Sequence, residues 1–137
     1  PAYNGIVAND WFLRKSNKMT YCVSDSLVSG IGTNSSSGKM SPHYLCSTTI
    51  GDELKLSNNG KSKVIGIALK DRGAILPAGR TADAAYWFVG GNEGKWVSSS
   101  WYIETLPDWV NTFNNKKVVD TGHLIRVINK RTIGAAN

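Results

Sequence analysis

The 137-residue sequence contains little cysteine and little histidine, with two residues of each. Cys22 and Cys46 have 23 residues between them. This spacing is typical of neither a zinc ribbon nor a redox pair, so a disulfide and two free thiols both stay open. His43 and His123 are isolated from one another. The sequence therefore predicts no metal site within this chain.

Long hydrophobic runs are also missing. No apolar stretch approaches the roughly 20 residues that a membrane-spanning helix needs, so we expect no membrane span. The sequence starts at Pro1, without an initiator methionine or a basic-then-apolar signal segment, which we interpret as a processed, trimmed or incomplete protein. Disorder is disfavoured, since 41% of the residues are hydrophobic and 19% are charged. The length fits one domain with a sizeable core.

Acidic residues are outnumbered, and the formal net charge is +6. Three of the 16 basic residues, Arg126, Lys130 and Arg131, lie in residues 121–137, which contain no acid. The remaining 13 are spread among the 10 acids and form no block. This distribution favours an ordinary solvated surface, and no nucleic-acid partner is predicted. A basic nucleic-acid-binding domain that uses the tail is the less favoured alternative.

The middle of the chain has the order helix, turn and strand. Ser41 and Pro42 are typical of a helix start, an apolar stripe continues to Leu54, and residues 58–60 predict the end of the helix. The apolar run at residues 64–69 then predicts a strand buried on both faces, as in a parallel sheet. This order is typical of an α/β fold.

Aromatic residues are concentrated further along the chain. Residues 85–89 and 95–101 predict a hairpin around a turn at 90–94, and residues 106–108 predict the start of a short helix. We interpret the tryptophans here as a small core that joins the hairpin to the helix. The alternative is a Trp-rich glycan- or peptide-binding module, with a platform formed by Trp87, Trp96, Trp101 and Trp109.

Three charged residues follow the predicted strand directly, namely Lys70, Asp71 and Arg72. Ligands bind at this end of the strands in open α/β sheets. On an extended backbone Lys70 and Arg72 project to the same side, with Asp71 opposite. The two cations then form a clamp for a phosphoryl or carboxylate group, and Gly73 and residues 77–79 predict a turn after it. Solubilisation of the strand end, with Asp71 as an ion-pair partner, is the alternative.

Residues 64–88, with the sequence VIGIALKDRGAILPAGRTADAAYWF, resemble a long signature of bacterial alkaline phosphatase superfamily enzymes. Residues 5–12, 41–56 and 106–114 resemble the same family. The matching branch comprises exported phosphomonoesterases with a threonine nucleophile, related to the nucleotide pyrophosphatase/phosphodiesterases. The resemblance implies part of an alkaline-phosphatase-like mixed or parallel sheet with flanking helices, a Trp-rich hairpin and a short helix.

The resemblance implies a role for Asn9, Lys70 and Arg72. In this branch an asparagine, a lysine and an arginine bind the non-bridging oxygens of the transferred phosphoryl group, and these three residues stand at the matching positions. The lysine–arginine pair favours phosphomonoesters, whose dianionic phosphoryl group can use two cations, and diesterases of the superfamily lack it. The implied substrate is therefore a phosphomonoester, and the implied location is periplasmic or secreted.

The resemblance also implies which groups this chain lacks. The complete enzyme uses two zinc ions, and its threonine nucleophile and one zinc-binding aspartate belong upstream of Pro1. The other zinc ligands belong downstream of residue 120. We therefore predict no catalytic residue and no bound metal here, and an isolated chain that is inactive.

The resemblance divides the chain into two parts. We interpret residues 1–120 as an internal, cap-bearing part of the superfamily domain. Residues 121–137 no longer resemble the family, and we interpret them as an atypical tail produced by a shifted reading frame, a truncated gene or a cloning boundary. Apolar residues at 124–128 predict a strand or an amphipathic arm within this tail.

Overall fold

The structure, a computed structural model, describes residues 3–117. Within that range it contains strands β1 (Asp10–Leu13), β2 (Lys18–Tyr21), β3 (Gly30–Ile31), β4 (Ile65–Ala68), β5 (Ala84–Val89) and β6 (Lys95–Ser99), and helices α1 (Ile50–Ser57), α2 (Asp71–Ala78) and α3 (Asp108–Asn115). The predictions for residues 121–137, including the strand or arm at 124–128 and the nucleic-acid alternative, lie outside the described residues.

Four strands form the main sheet in the order β3-β6-β5-β4. β4 and β5 are parallel, with Ile65 opposite Ala84, whereas β6 is antiparallel to both β5 and β3. β1 and β2 form a separate antiparallel hairpin. The predicted α/β fold with a mixed sheet and flanking helices is confirmed.

α2 connects the parallel strands β4 and β5 and packs closely on the sheet. A Cβ atom at Gly66 of β4 would overlap the carbonyl oxygen of Ala74 and crowd the side chain of Ala78. Glycine is therefore needed here, because the backbone of the helix lies directly on the strand. This packing fixes the N-terminal end of α2 at the end of β4.

The main core lies between α2, the sheet and the segment that follows β2. Its buried members are Cys22, Val23, Ala74, Ile75, Ala85, Trp87 and Val97. Trp87 is 2% exposed, and its indole N–H donates to the carbonyl oxygen of Ser37 at 2.9 Å. Both cysteines are free, with Cys22 buried in this core and Cys46 exposed, so of the two alternatives the structure has the free thiols.

The predicted helix start at Ser41 and Pro42 is wrong, since the helix begins only at Ile50. Ser41 is fully buried, its hydroxyl donates to the carboxylate of Asp25 at 2.6 Å, and it accepts the backbone N–H of His43 at 3.1 Å. The side chain thus stabilises a turn and ties it to a residue 16 positions away. This tertiary contact takes the place of the local helix cap.

The predicted end of the same helix is confirmed. Asn58 is the C-cap of α1, and Asn59 and Gly60 have positive φ angles of 57° and 77°. A backbone that turns left-handed cannot continue a right-handed helix. None of the helices formed by residues 3–117 combines the length and the hydrophobicity needed to cross a membrane.

The strand predicted at residues 64–69 forms and pairs in parallel, but its predicted burial on both faces is wrong. β4 is the edge strand of the described sheet, with α2 on one face. On the other face Ile65, Ile67 and Leu69 are 53%, 58% and 61% exposed. Within residues 3–117, therefore, the second apolar face is left more than half exposed, although Ile67 borders a cavity that α3 also lines.

The predicted hairpin and the helix after it are confirmed as β5–β6 and α3. Val110 of α3 packs with Tyr86 of β5 and Trp96 of β6 in a second small core, so the predicted joining of hairpin and helix is also confirmed. Of the four tryptophans in this region, Trp109 alone is more than half exposed, at 56%. The row of exposed indoles that a binding platform requires is not present.

Candidate phosphoryl-binding site

The structure places Lys70, Asp71 and Arg72 where β4 ends and α2 begins. Lys70 is the N-cap, with an extended backbone (φ −100°, ψ 135°), and its carbonyl oxygen accepts the N–H of Ala74 at 3.1 Å. Asp71 and Arg72 are the first two helical residues. The expected extended backbone is therefore present at Lys70 but wrong for Asp71 and Arg72. The two cations leave the chain from a helix N-terminus, whose partial positive charge favours a bound anion.

α2 also replaces the turn predicted from Gly73 and residues 77–79. The helix buries Ala74 and Ile75 completely against the sheet, and this burial outweighs the poor helix propensity of glycine and proline. Pro77 lies in the last turn, and the carbonyl that its missing N–H would engage belongs to the exposed Gly73. The helix ends at Gly79, where φ is +84°.

Tyr21, the last residue of β2, connects the two charged residues at the start of α2. Its hydroxyl donates to Oδ1 of Asp71 at 2.5 Å and accepts from Nη1 of Arg72 at 3.0 Å. The same carboxylate oxygen accepts the backbone N–H of Arg72 at 2.7 Å. The phenol therefore stands between the carboxylate and the guanidinium and is bonded to both.

Burial and the hydrogen bond to Asp71 together raise the pKa of Tyr21 to about 12. The bond from Arg72 and its positive charge act in the opposite direction but are outweighed. The same bond to Tyr21 raises the pKa of the Arg72 guanidinium above its usual value. Tyr21 therefore remains a neutral donor, and Arg72 a cation, at neutral and moderately alkaline pH.

Both cations border one cleft of about 290 Å³, lined by residues that include Tyr21, Ser37, Lys70, Arg72, Trp87 and Gly90. Lys70 is exposed, and among the residues that the structure describes its ammonium has no ion-pair partner. The carboxylate of Asp71 borders the same cleft but is engaged by Tyr21 and the helix backbone. The cleft thus offers two cationic groups to an anion.

Asn9 lies just before β1, and its side chain is exposed. Its carbonyl oxygen accepts the backbone N–H of Cys22 at 2.8 Å, and its neighbour Asp10 pairs with Tyr21 across the β1–β2 hairpin. The backbone of Asn9 therefore stands next to the strand end that carries Tyr21. None of the hydrogen bonds found within residues 3–117 joins its side chain to Lys70 or Arg72.

Sequence reasoning assigned no role to Tyr21. It lies 50 residues before Asp71, on a short strand with no recognisable motif around it. The resemblance of residues 5–12 to the phosphatase signature was the one signal that this part of the chain lies near the site. The contact itself depends on how the β1–β2 hairpin packs against the start of α2, which local pattern does not encode.

The residues present do not fit a zinc centre. Within residues 3–117 no group of three or more His, Cys, Asp or Glu side chains is arranged to hold a metal ion. The one histidine of this range, His43, is exposed and stacks edge-on against Tyr44. No chemical step at this site is therefore derived through a metal.

The fold is that of an α/β protein with a mixed sheet, and two cations at the carboxyl end of a parallel strand stand where ligands bind in open α/β sheets. No protein-family profile matches the chain. The chain is 49% identical over 120 residues to a protein of Myroides odoratus named calcium-transporting ATPase, covering 88% of this chain and 22% of that protein. It is 47% identical to alkaline phosphatase PhoV of Synechococcus elongatus, covering 86% and 21%.

Alkaline phosphatase PafA of Elizabethkingia meningoseptica is 48% identical to the chain, which covers 22% of it. The crystal structure of PafA superposes with a TM-score of 0.83 and matches 86% of this chain and 23% of that one. The chain belongs to the alkaline phosphatase superfamily. It spans about a fifth of the length of these curated relatives.

Proposed function

We propose that this chain forms the part of a phosphomonoesterase that binds the non-bridging oxygens of the transferred phosphoryl group, through Asn9, Lys70 and Arg72. One observation carries the proposal. Lys70 and Arg72 border the same cleft at the N-terminus of α2. The Asp71 carboxylate beside them bonds through Oδ1 to Tyr21 and a backbone N–H, and among the described residues it has no direct ion pair to either cation.

The charges suit a phosphomonoester better than a diester. A phosphomonoester is a dianion near neutral pH, and its terminal phosphoryl group presents three oxygens. Arg72 can offer a planar fork of N–H donors, and Lys70 a point charge. Because phosphoryl transfer spreads charge over these oxygens, fixed cations beside them stabilise the transition state.

A further structure of PafA supports the same three residues. It superposes with a TM-score of 0.83 at 45% identity, and it is a mutant in which one threonine is changed to serine and an asparagine, a lysine and an arginine are changed to alanine. The lysine and arginine changed there stand two positions apart, as Lys70 and Arg72 do. The asparagine precedes the lysine by one position more than Asn9 precedes Lys70.

The rest of the machinery belongs to the proposal through family resemblance. In the complete enzyme a threonine is the nucleophile and two zinc ions activate it and stabilise the leaving oxygen. None of these groups has a counterpart within residues 3–117. Export to the periplasm or the medium is part of the same proposal.

The proposal is tested with a chimera in which residues 1–117 of this chain replace the matching segment of PafA. The assay measures hydrolysis of 4-nitrophenyl phosphate by the chimera. We expect an active chimera in which Arg72→Ala or Lys70→Ala lowers kcat/KM by about 10²-fold. Hydrolysis of methyl 4-nitrophenyl phosphate, a diester with one negative charge, should fall much less.

Arg14→Ala and Lys61→Ala are the matched controls, because both residues are exposed and removing either also lowers the net charge by one. They should leave both reactions within about twofold of the parent chimera. Equal losses in the controls and the site variants would show a general charge effect and contradict the proposal. So would an active chimera that tolerates loss of both Lys70 and Arg72.

A further inference from the structure

We infer that Tyr21 is a positioning residue: it holds the Arg72 guanidinium for the phosphoryl group and keeps Asp71 from pairing with it directly. The inference rests on the proposed function, because positioning the guanidinium matters only if Arg72 binds a phosphoryl group. Tyr21 joins the proposed phosphoryl-binding site although no sequence motif marks it. It belongs to the β1–β2 hairpin, whereas Lys70 and Arg72 lie at the start of α2.

The hydrogen bonds around Tyr21 leave most of the N–H donors of the Arg72 guanidinium free. A guanidinium has five N–H donors, and the bond to the Tyr21 hydroxyl uses one, at Nη1. Oδ1 of Asp71 is meanwhile occupied by the Tyr21 hydroxyl at 2.5 Å and the Arg72 backbone N–H at 2.7 Å. No ion pair between Asp71 and the Arg72 side chain occurs among the described residues.

The alternative partner for Arg72 is next to it in sequence. A guanidinium and a carboxylate that meet directly form a strong, often bidentate pair. Such a pair would use the donors that a phosphoryl group needs and would cancel the positive charge. A phenol bonded to both groups fixes the guanidinium without a direct ion pair, because the neutral phenol stands between the guanidinium and the carboxylate.

Tyr21 is suited to this role by where it is anchored. It ends β2, where its residue pairs with Asp10, and its ring packs against the main core. An aromatic side chain has only two rotatable bonds, so a ring held by the core gives its hydroxyl a fixed position. The guanidinium, at the end of a long flexible side chain, gains most from such an anchor.

The test uses the full 137-residue chain and inorganic phosphate, followed by NMR. Tyr21→Phe keeps the ring and removes only the hydroxyl, and we expect it to weaken phosphate binding about tenfold. Tyr3→Phe is the matched control, since Tyr3 is 93% exposed, and it should bind as the parent does. Amide spectra of each variant report whether the fold is retained.

Two double variants separate positioning from a general structural effect. In Tyr21→Phe/Asp71→Asn the competing carboxylate is gone, so most of the lost affinity should return. In an Arg72→Ala chain, adding Tyr21→Phe should cost no further affinity, because the group that Tyr21 positions is absent. A loss in both backgrounds, or no rescue by Asp71→Asn, would overturn the inference.

The side-chain N–H signals of Arg72 give a readout that does not need phosphate. In the parent chain, where Nη1 is bonded to the Tyr21 hydroxyl, these N–H resonances should be sharp and distinct. In Tyr21→Phe the Arg72 side chain rotates freely, so the resonances should average. If Arg72→Ala weakens phosphate binding while Tyr21→Phe changes neither binding nor these signals, the inference fails and the proposed function stands. If the parent chain does not bind phosphate, the chimera decides the proposed function, and unchanged Arg72 signals in Tyr21→Phe would overturn the inference by themselves.

Discussion

Replacing Asp52 by asparagine should destabilise the protein strongly, because this buried carboxylate joins α1 to the chain that leaves α2. Asp52 is 2% exposed. Its Oδ1 accepts the N–H of Thr81 at 2.9 Å and the hydroxyl of Thr81 at 2.6 Å. Its Oδ2 accepts the N–H of Thr49 at 2.9 Å, as part of the capping box that starts α1, and the hydroxyl of Thr49 at 3.1 Å.

The magnitude follows from the geometry. An asparagine keeps one acceptor oxygen, so whichever way its amide is turned, an NH₂ group faces donors of either Thr49 or Thr81. At least two bonds to a charged acceptor are lost, each worth about 1.5 kcal/mol or more. We expect Asp52→Asn to lower the free energy of unfolding by about 3 kcal/mol. With a urea m-value of about 2 kcal/mol/M, the unfolding midpoint would fall by about 1.5 M.

The same bonds predict how the effect depends on pH. Burial alone would raise the pKa of Asp52, but the hydrogen bonds from Thr81 and Thr49 outweigh it and the pKa is lowered. A carboxylate with a lowered folded-state pKa stabilises the fold fully above its unfolded pKa, about 3.9. This contribution is lost as the pH falls towards the folded-state value. The difference between the parent and Asp52→Asn should therefore shrink below about pH 4.

Urea unfolding followed by circular dichroism measures these values. Glu53→Gln is the control, since Glu53 lies in the same helical turn but is exposed; surface changes of this kind are usually within about 0.5 kcal/mol. If Asp52→Asn lowers the free energy of unfolding no more than Glu53→Gln does, the buried carboxylate does not hold α1 to the chain that leaves α2, and the reasoning is refuted.

Three further predictions concern the packing of α2, the core and catalysis. Gly66→Ala would place a methyl group against the carbonyl of Ala74, so we expect a loss of about 1–3 kcal/mol in urea unfolding and weaker phosphate binding. Gly60→Ala is the comparison: it has open space around the Cβ position but a φ of +77°, so it should lower stability through backbone strain and leave binding unchanged. Trp87→Phe removes the bond to Ser37 and leaves a cavity, so thermal unfolding should show a loss of about 2 kcal/mol or more. The 137-residue chain incubated with zinc and 4-nitrophenyl phosphate should release nitrophenol no faster than a blank; clear turnover would contradict the division of the machinery proposed above.

Much of the fold could be predicted because the relevant signals are local. The apolar run at residues 64–69, the glycine-rich turn at 90–94 and the proline before α3 each act within a few residues, and each gave the correct element. The position of Lys70 and Arg72 at the end of a parallel strand could be predicted for the same reason.

The errors occurred where contacts distant in sequence decide the conformation. Ser41 has the local features of a helix cap, but its hydroxyl binds Asp25 in the core. Pro77 and Gly73 favour a turn locally, whereas burial of Ala74 and its neighbours on the sheet makes the segment helical. Each outcome depends on a tertiary contact that outweighs a local preference of about 1–3 kcal/mol.

The exposed face of β4 shows where the proposed site is open to further structure. Ile65 and Ile67 of this edge strand, and Leu69 just after it, are more than half exposed, and the outer side of the strand has no partner within residues 3–117. Contiguous apolar surface of this kind ordinarily marks an interface, and an unpaired strand edge invites another strand. Lys70 and Arg72 stand at the end of that same strand. Structure that covers β4 would therefore lie beside the two cations, and in the function proposed above a nucleophile has to stand there to reach a phosphoryl group held between them.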